Sequence, residues 1–310
     1  MKKVLLLFLS LSIIHSSSAQ STELAIQTFG ESTDEPILFL HGGPGYNSVI
    51  FEKTTAPALA ANGFFVLSYD RRGEGRNEKV PAAYNFQQTF EDINAILKVH
   101  NLNAVSLIGH SFGGLVATYY TQQNPDKVNA LFLVGAPISM PETFQNIIAQ
   151  SKEIYLKQDD KINLNYISML EKMDSTSLQY SSYCFMHAMQ NGFYSTKRPN
   201  AKAVELYAAF GADEELKKYA SKMEFTAPQK FWENEQYTTI SIKEDLKKLI
   251  AANKKIYALY GQEDGLYGRS QVEELGTIIG EANLLYLENC SHSVFIDQQN
   301  EFIKALKKWY

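Results

Sequence analysis

The 310-residue chain reads as an α/β protein, with a mostly parallel central sheet flanked by helices and an inserted helical cap. Three observations predict this. Short apolar runs recur as continuous rather than alternating stretches, as strands covered on both faces require. Segments of helical periodicity separate them, the rhythm of a parallel sheet with crossover helices. Between residues 138 and 234 that rhythm stops, and a helical pattern rich in Tyr, Phe and Met takes over with no convincing strand.

Taken in order, residues 36–40 (PILFL) are the first expected strand and run into HGGPG at 41–45. Residues 64–70 (FFVLSYD) are the second and end in RRGEG at 71–75. A helix is expected over 86–100, with Phe90, Ile93, Ile96 and Leu97 on one face. Residues 104–108 (AVSLI) form the third strand. They lead into GHSFGG at 109–114 and a helix carrying Leu115, Val116, Tyr119 and Tyr120. Residues 130–134 (ALFLV) form the fourth, closed by Gly135-Ala136-Pro137. Beyond the insertion, strands are expected at 255–260 and 284–287, and helices at 269–279 and 294–309. The core is therefore assigned to 20–137 and 235–310, and the cap to 138–234. No polar linker flanks the insertion, which suits a lid docked on the core.

The first 19 residues follow a secretory plan. Lys2 and Lys3 precede an almost wholly apolar run over 4–14, and small residues end at Ala19. The run is shorter than the roughly 20 residues a bilayer-spanning helix needs, and no other segment is apolar enough to span. Export to the periplasm or beyond is expected, with a mature start near Gln20 or Ser21. The formal net charge of −5 and the lack of any basic run argue against nucleic acid as a partner. The two cysteines, Cys184 and Cys290, make no disulfide framework, and sequence alone does not place them within bonding distance.

Gly109-His110-Ser111-Phe112-Gly113 is a G-x-S-x-G motif with a strand before it and a helix after it. Such a turn lifts a serine hydroxyl above the sheet, and flanking glycines permit the close packing it needs. A serine requires a base. Of the six histidines, His292 follows the last strand, whereas His41 and His110 are embedded in glycine turns. Asp264, in GQEDG at 261–265, follows the preceding strand, where an acid that orients the histidine is expected; Glu263 is its neighbouring competitor. Ser111, Asp264 and His292 thus stand in the chain order Ser, Asp, His. The backbone N–H of Phe112 and one from the 41–45 loop, most naturally Gly43, are the expected oxyanion donors.

The set HGGPG at 41–45, DRRGEG at 70–75, GHSFGG at 109–114, GQEDG at 261–265 and NCSHSVFID at 289–297 resembles the proline iminopeptidase family of α/β-hydrolases. The likeness covers nearly the whole chain beyond the leader, including the cap. It implies removal of an N-terminal residue, typically proline, from short peptides, with no metal or organic cofactor. It also implies that Glu235, in the pair Asn234-Glu235, holds the free amine of the substrate. Two positions depart from the family pattern. Gly265 stands where some relatives carry a second Glu, and Gly-His-Ser replaces the Gly-Gly-Ser of many proline-cleaving members. Hydrolysis of a carboxylic ester, or another acyl transfer to water by the same three residues, is the alternative reading. The cap residues Tyr180, Tyr183, Phe185, Met186, Met189, Phe193 and Trp232 are candidates for an apolar substrate pocket, although helix packing accounts for most such residues. The intact Ser, His and Asp set argues against a non-catalytic binding protein.

Overall fold

A computed structural model describes residues 24–310; the expected leader, residues 1–19, lies outside the described residues. Seven strands form one sheet: β1 (Ile26–Phe29), β2 (Glu35–Leu40), β3 (Phe64–Tyr69), β4 (Val105–His110), β5 (Val128–Val134), β6 (Lys255–Gly261) and β7 (Leu284–Leu287). Their order is β1-β3-β2-β4-β5-β6-β7, with β1 antiparallel to β3 and all other neighbours parallel. The helices of the first half are α1 (Val49–Thr54), α2 (Ala56–Ala60), α3 (Phe86–Val99) and α4 (Phe112–Gln123). After β5 come the helices of the insertion, α5 (Met140–Lys157), α6 (Lys161–Leu170), α7 (Leu178–Gln190), α8 (Ala201–Ala208), α9 (Glu214–Tyr219) and α10 (Thr226–Glu235). The chain then adds α11 (Lys243–Ala251), α12 (Arg269–Ile279), α13 (Val294–Asp297) and α14 (Gln299–Trp309).

The period-two geometry of a strand explains the continuous apolar runs. In β2, Leu38 and Leu40 enter one core layer with Phe90, Ile93 and Leu115, whereas Ile37 and Phe39 enter the other with Phe51, Phe295 and Phe302. β5 divides in the same way, Leu131 and Leu133 to the first layer, Phe132 and Val134 to the second. The inner strands are therefore apolar along nearly their whole buried length because both faces are covered by helices. Cys184 and Cys290 are free, buried, and belong to different layers.

Some elements escaped the periodicity. β1 is only four residues long with its middle exposed, and α1, α2 and α11 are short. The final helical segment is two helices, broken at Gln298 (φ −132°). No helix of the described residues is long and apolar enough to cross a membrane.

A buried ionic network fixes the turn after β3 to α1. Arg76 donates to both Glu52 carboxylate oxygens at 2.6 and 2.7 Å, and from Nε to Asp70 Oδ2 at 2.8 Å. Asp70 Oδ1 also accepts from the Ser48 amide and hydroxyl, at 2.8 and 2.6 Å. Burial alone pushes the Asp70 carboxyl up, but the Arg76 bonds and the neighbouring charges outweigh it and hold the carboxyl at about 2. A carboxylate with a depressed native pKa stabilises the fold above its unfolded value of 3.8, and that contribution is lost as pH falls towards about 2. Asp70→Asn leaves Arg76 paired with Glu52 alone and removes the charged acceptor of the Arg76 and Ser48 bonds, so denaturant unfolding at neutral pH should show a loss of about 2–3 kcal/mol. Its stability should also fall less steeply than that of the unsubstituted protein across that acid window. Equal acid sensitivity would remove Asp70 from the network's energetics.

Candidate active site

The loops after β2, β4, β5 and β6, and the segment after β7, meet at the carboxyl edge of the sheet. Ser111 sits between β4 and α4 with φ +52° and ψ −128°, a conformation costly for a residue with a Cβ. Its surroundings leave no alternative to glycine. A Cβ on Gly109 would lie 2.6 Å from Gly113 O, and one on Gly113 would lie 2.1 Å from Leu40 O. The Ser111 turn is thus wedged against the end of β2. The N–H of Phe112, the first residue of α4, has no intrahelical partner and belongs to the positive end of the helix.

Asp264 and His292 are brought together. His292 Nδ1 donates to Asp264 Oδ2 at 2.9 Å, and both side chains are buried. A carboxylate only accepts, so the proton resides on Nδ1 and the Nε2 lone pair is free to take another. Asp264 Oδ1 accepts from Leu266 N at 3.0 Å, which fixes the carboxylate plane. Among the described residues no hydrogen bond joins Ser111 to His292. Gly135, at φ +49°, connects the two: a Cβ there would sit 3.0 Å from His292 O and 3.6 Å from Asp264 Oδ2. Ser111 N donates to Val134 O, one residue earlier, at 3.0 Å.

Several groups that sequence reading left out hold this arrangement. His110 Nε2 donates to His292 O at 3.1 Å, and burial drives the His110 ring down to about 3, so it is neutral. Asp297 Oδ2 accepts from the Ser291 amide and hydroxyl at 2.7 and 2.6 Å, pinning the segment that carries His292. Tyr260 and Tyr267 donate to Ala136 O and Gly135 O at 2.5 and 2.8 Å, fixing the loop after β5 beside the serine. Burial, with Asp264 adding to it, raises the Tyr267 phenol well above its ordinary value, so it stays a donor. From the cap, the Tyr194 ring stands edge-on to the His292 ring at 5.2 Å. The periodicity that betrays helices and strands carries no mark of these tertiary partners.

The remaining candidates fall in two places. Gly43, at φ +110°, lies in the loop after β2, whose Gly42 faces Ser111: a Cβ on Gly42 would lie 3.0 Å from Ser111 Cβ and 3.5 Å from Oγ. Glu235 ends α10, and its Oε1 accepts from Phe86 N at 2.8 Å, closing the amino end of α3. Asn234 bonds Ala83 O and Tyr84 O, so the pair staples the cap to the core. Among the described residues no bond links Glu235 to Ser111, Asp264 or His292. Glu263 accepts from the Thr196 hydroxyl at 2.8 Å and the Lys197 amide at 2.6 Å. It holds the 193–198 segment, and the competitor of Asp264 is thereby bound to the cap. Of the cap residues considered for an apolar pocket, Tyr180 and Phe193 are buried, whereas Tyr183, Met186 and Met189 are about half exposed on α7 and face solvent.

Comparison with known proteins gives the family and the fold. Residues 35–299 match the family model described as the alpha/beta hydrolase fold. The chain belongs to that family. It is 25% identical over 294 residues to a proline iminopeptidase of Lacticaseibacillus rhamnosus (strain Lc 705), covering 90% of each chain. Two solved structures share the fold. A proline iminopeptidase-related protein from Thermus thermophilus superposes with a TM-score of 0.62 at 18% identity, over 92% of this chain and 91% of that one. An esterase from Exiguobacterium antarcticum gives 0.59 at 17% identity, over 92% and 94%. Within this family of hydrolases the departure at Gly265 has a steric basis: a Cβ there would meet Phe193 Cγ at 2.3 Å, so the cap occupies the space a larger residue needs.

Proposed function

We propose that the protein is a serine hydrolase that releases an N-terminal residue, proline among the candidates, from short peptides through an acyl-enzyme. The hydrogen bond from His292 Nδ1 to Asp264 Oδ2, beside a serine on a strained strand-to-helix turn, carries the hydrolase part of this reading. Ser111 Oγ attacks the scissile carbonyl while His292 Nε2 takes its proton. The carbonyl electron pair moves onto oxygen, facing the N–H groups of Gly43 and Phe112. His292 then protonates the departing amine, and a water repeats the steps to free the acid. The 90% two-way coverage by a proline iminopeptidase and the HGGPG loop support the peptide substrate. Ester hydrolysis is the second reading, favoured by Phe193 lying over Gly265, which leaves no carboxylate at that position.

The leader-like residues 1–19 support export. Mass spectrometry of the protein secreted by a bacterial host should find a start near Gln20 or Ser21, and an intact Met1 on exported protein would refute cleavage there.

Ser111→Ala is expected to abolish both turnover and labelling by a fluorophosphonate probe while the protein remains folded. On the unsubstituted enzyme, prolyl- and other aminoacyl-naphthylamides should be cleaved in preference to p-nitrophenyl esters. Turnover of the esters alone would move the assignment to an esterase.

Glu235 is proposed as the acceptor of the substrate ammonium. Phe86 and Phe231 both pack on Phe112, the residue after the serine, at ring distances of 5.9 and 5.5 Å. Glu235 bonds the amide of the first and lies one helical turn beyond the second. Glu235→Gln keeps an oxygen for the Phe86 amide but removes the charge. Prolyl-naphthylamide cleavage should fall by about tenfold or more, since an ammonium losing its carboxylate partner costs a few kcal/mol, with p-nitrophenyl acetate hydrolysis little changed. Parallel losses on both substrates would assign Glu235 to structure alone.

A further inference from the structure

The loop at 41–45 is held from beneath by a buried ion pair that no catalytic step uses. Arg71 Nη1 donates to His41 O at 2.7 Å and Nη2 to Gly42 O at 2.6 Å. Its Nε and Nη2 form a two-point bond with Glu74, at 2.9 and 2.8 Å, and both side chains are buried. The same Glu74 Oε2 accepts from Gly45 N at 2.8 Å, so one ion pair grips the loop at three backbone atoms. The guanidinium also stands 5.5 Å over the ring of Phe112. His41 adds a fourth hold. Arg71 N donates to His41 Nε2 at 3.1 Å, so the imidazole proton lies on Nδ1 and points to Gly42 O, 2.8 Å away. Burial, with Arg71 adding to it, holds His41 well below its ordinary value, consistent with that neutral tautomer.

A peptide plane has one consequence here. In a trans unit the C=O and the following N–H point in opposite directions. Gly42 O is drawn towards Arg71 and His41 by two donors, so the Gly43 N–H is turned away from them. A Cβ on Gly42 would meet Ser111 Cβ at 3.0 Å, so this peptide lies beside the serine. We propose that Arg71, braced by Glu74, is the positioning residue that sets the Gly42–Gly43 peptide so that its N–H faces the developing oxyanion. The inference rests on the reading of Ser111 as nucleophile and Gly43 as donor. The ion pair is neutral overall, so its effect on the reaction is orientation rather than added charge. Lysine does not replace the fork, because an ammonium lacks the planar geometry that reaches two carbonyls and a carboxylate together.

Two variants test it: Arg71→Lys, and the double variant Arg71→Met with Glu74→Gln. The double variant leaves no unpaired buried charge and keeps an acceptor for Gly45 N. On a p-nitrophenyl ester, kcat should fall about 10²-fold, the scale of one lost oxyanion donor, while KM stays nearly constant. Inhibition by an alkyl boronic acid, whose serine adduct places a hydroxyl where the oxyanion forms, should weaken in parallel. The pH profile attributed to His292 should keep its midpoint. A folded variant with unchanged kcat, a rise in KM alone, or a kcat loss with undiminished boronate binding would each overturn the proposal. If Arg71→Lys does not fold, the charge-neutral double variant decides the matter. Failure of the underlying reading is separate: the unsubstituted enzyme would then escape fluorophosphonate labelling at Ser111.

Discussion

The backbone of Ser111 is the constraint on which the site depends. A residue with a side chain at φ +52° persists only where its surroundings permit no other path. Here they do so through contacts too short for any Cβ, Gly113 against Leu40 O and Gly114 against Ala136. The Ser111 turn is therefore locked to the end of β2 on one side and to the loop after β5 on the other. The loop that follows β2 carries Gly43, and the loop after β5 lies against His292. Sheet order puts β4 between β2 and β5, so Ser111, Gly43 and Gly135 share one edge, and the segment after β7 returns past Gly261 to bring His292 to Gly135.

The segment after β3 sets two of its three arginines, Arg71 and Arg76, to different tasks. Arg76 turns outward from the site and ties Asp70 to Glu52 on α1. Arg71 turns inward and ties Glu74 to the loop beneath the serine. Buried guanidinium groups are costly unless their donors are used, and each of these meets a carboxylate together with backbone or hydroxyl oxygens. The planar fork suits both arrangements because each requires several acceptors at fixed angles. Gly75 at φ +53° lets the chain reverse between them, with a Cβ there excluded by Asp70 Oδ2 at 2.4 Å.

The parts legible in the sequence were those written in local pattern. β2, β3, β4 and β5 announce themselves as apolar runs because both faces are buried, and G-x-S-x-G is legible because the strand before it and the helix after it are strong. β1 carries too few buried residues for such a signal, and the break at Gln298 has no proline or glycine to mark it. Asp264 and Glu263 are adjacent and chemically alike, so only the tertiary partners separate them: His292 for one, Thr196 and the Lys197 amide for the other. The roles of Arg71 and Glu74 were equally hidden. Their bonds span about 30 residues of sequence to the loop, and nothing in RRGEG distinguishes the arginine that turns inward.

The choice between peptide and ester turns on acceptor capacity around the cap. An ammonium brought out of water needs a carboxylate with lone pairs to spare. Glu74 gives its oxygens to Arg71 and Gly45 N, and Glu263 gives Oε2 to the 196–197 segment with Arg198 3.8 Å from Oε1. Glu235 differs. Oε1 accepts one backbone amide, and among the described residues Oε2 accepts none. A carboxylate fixed by one oxygen and open at the other is oriented before substrate arrives, so little rotamer entropy is lost on binding. On the proposed reading, its place on the cap side, behind the rings that pack on Phe112, would give the cap a chemical task beyond covering His292. An ester without an amine would use the serine, histidine and oxyanion loop alone and would leave that carboxylate idle.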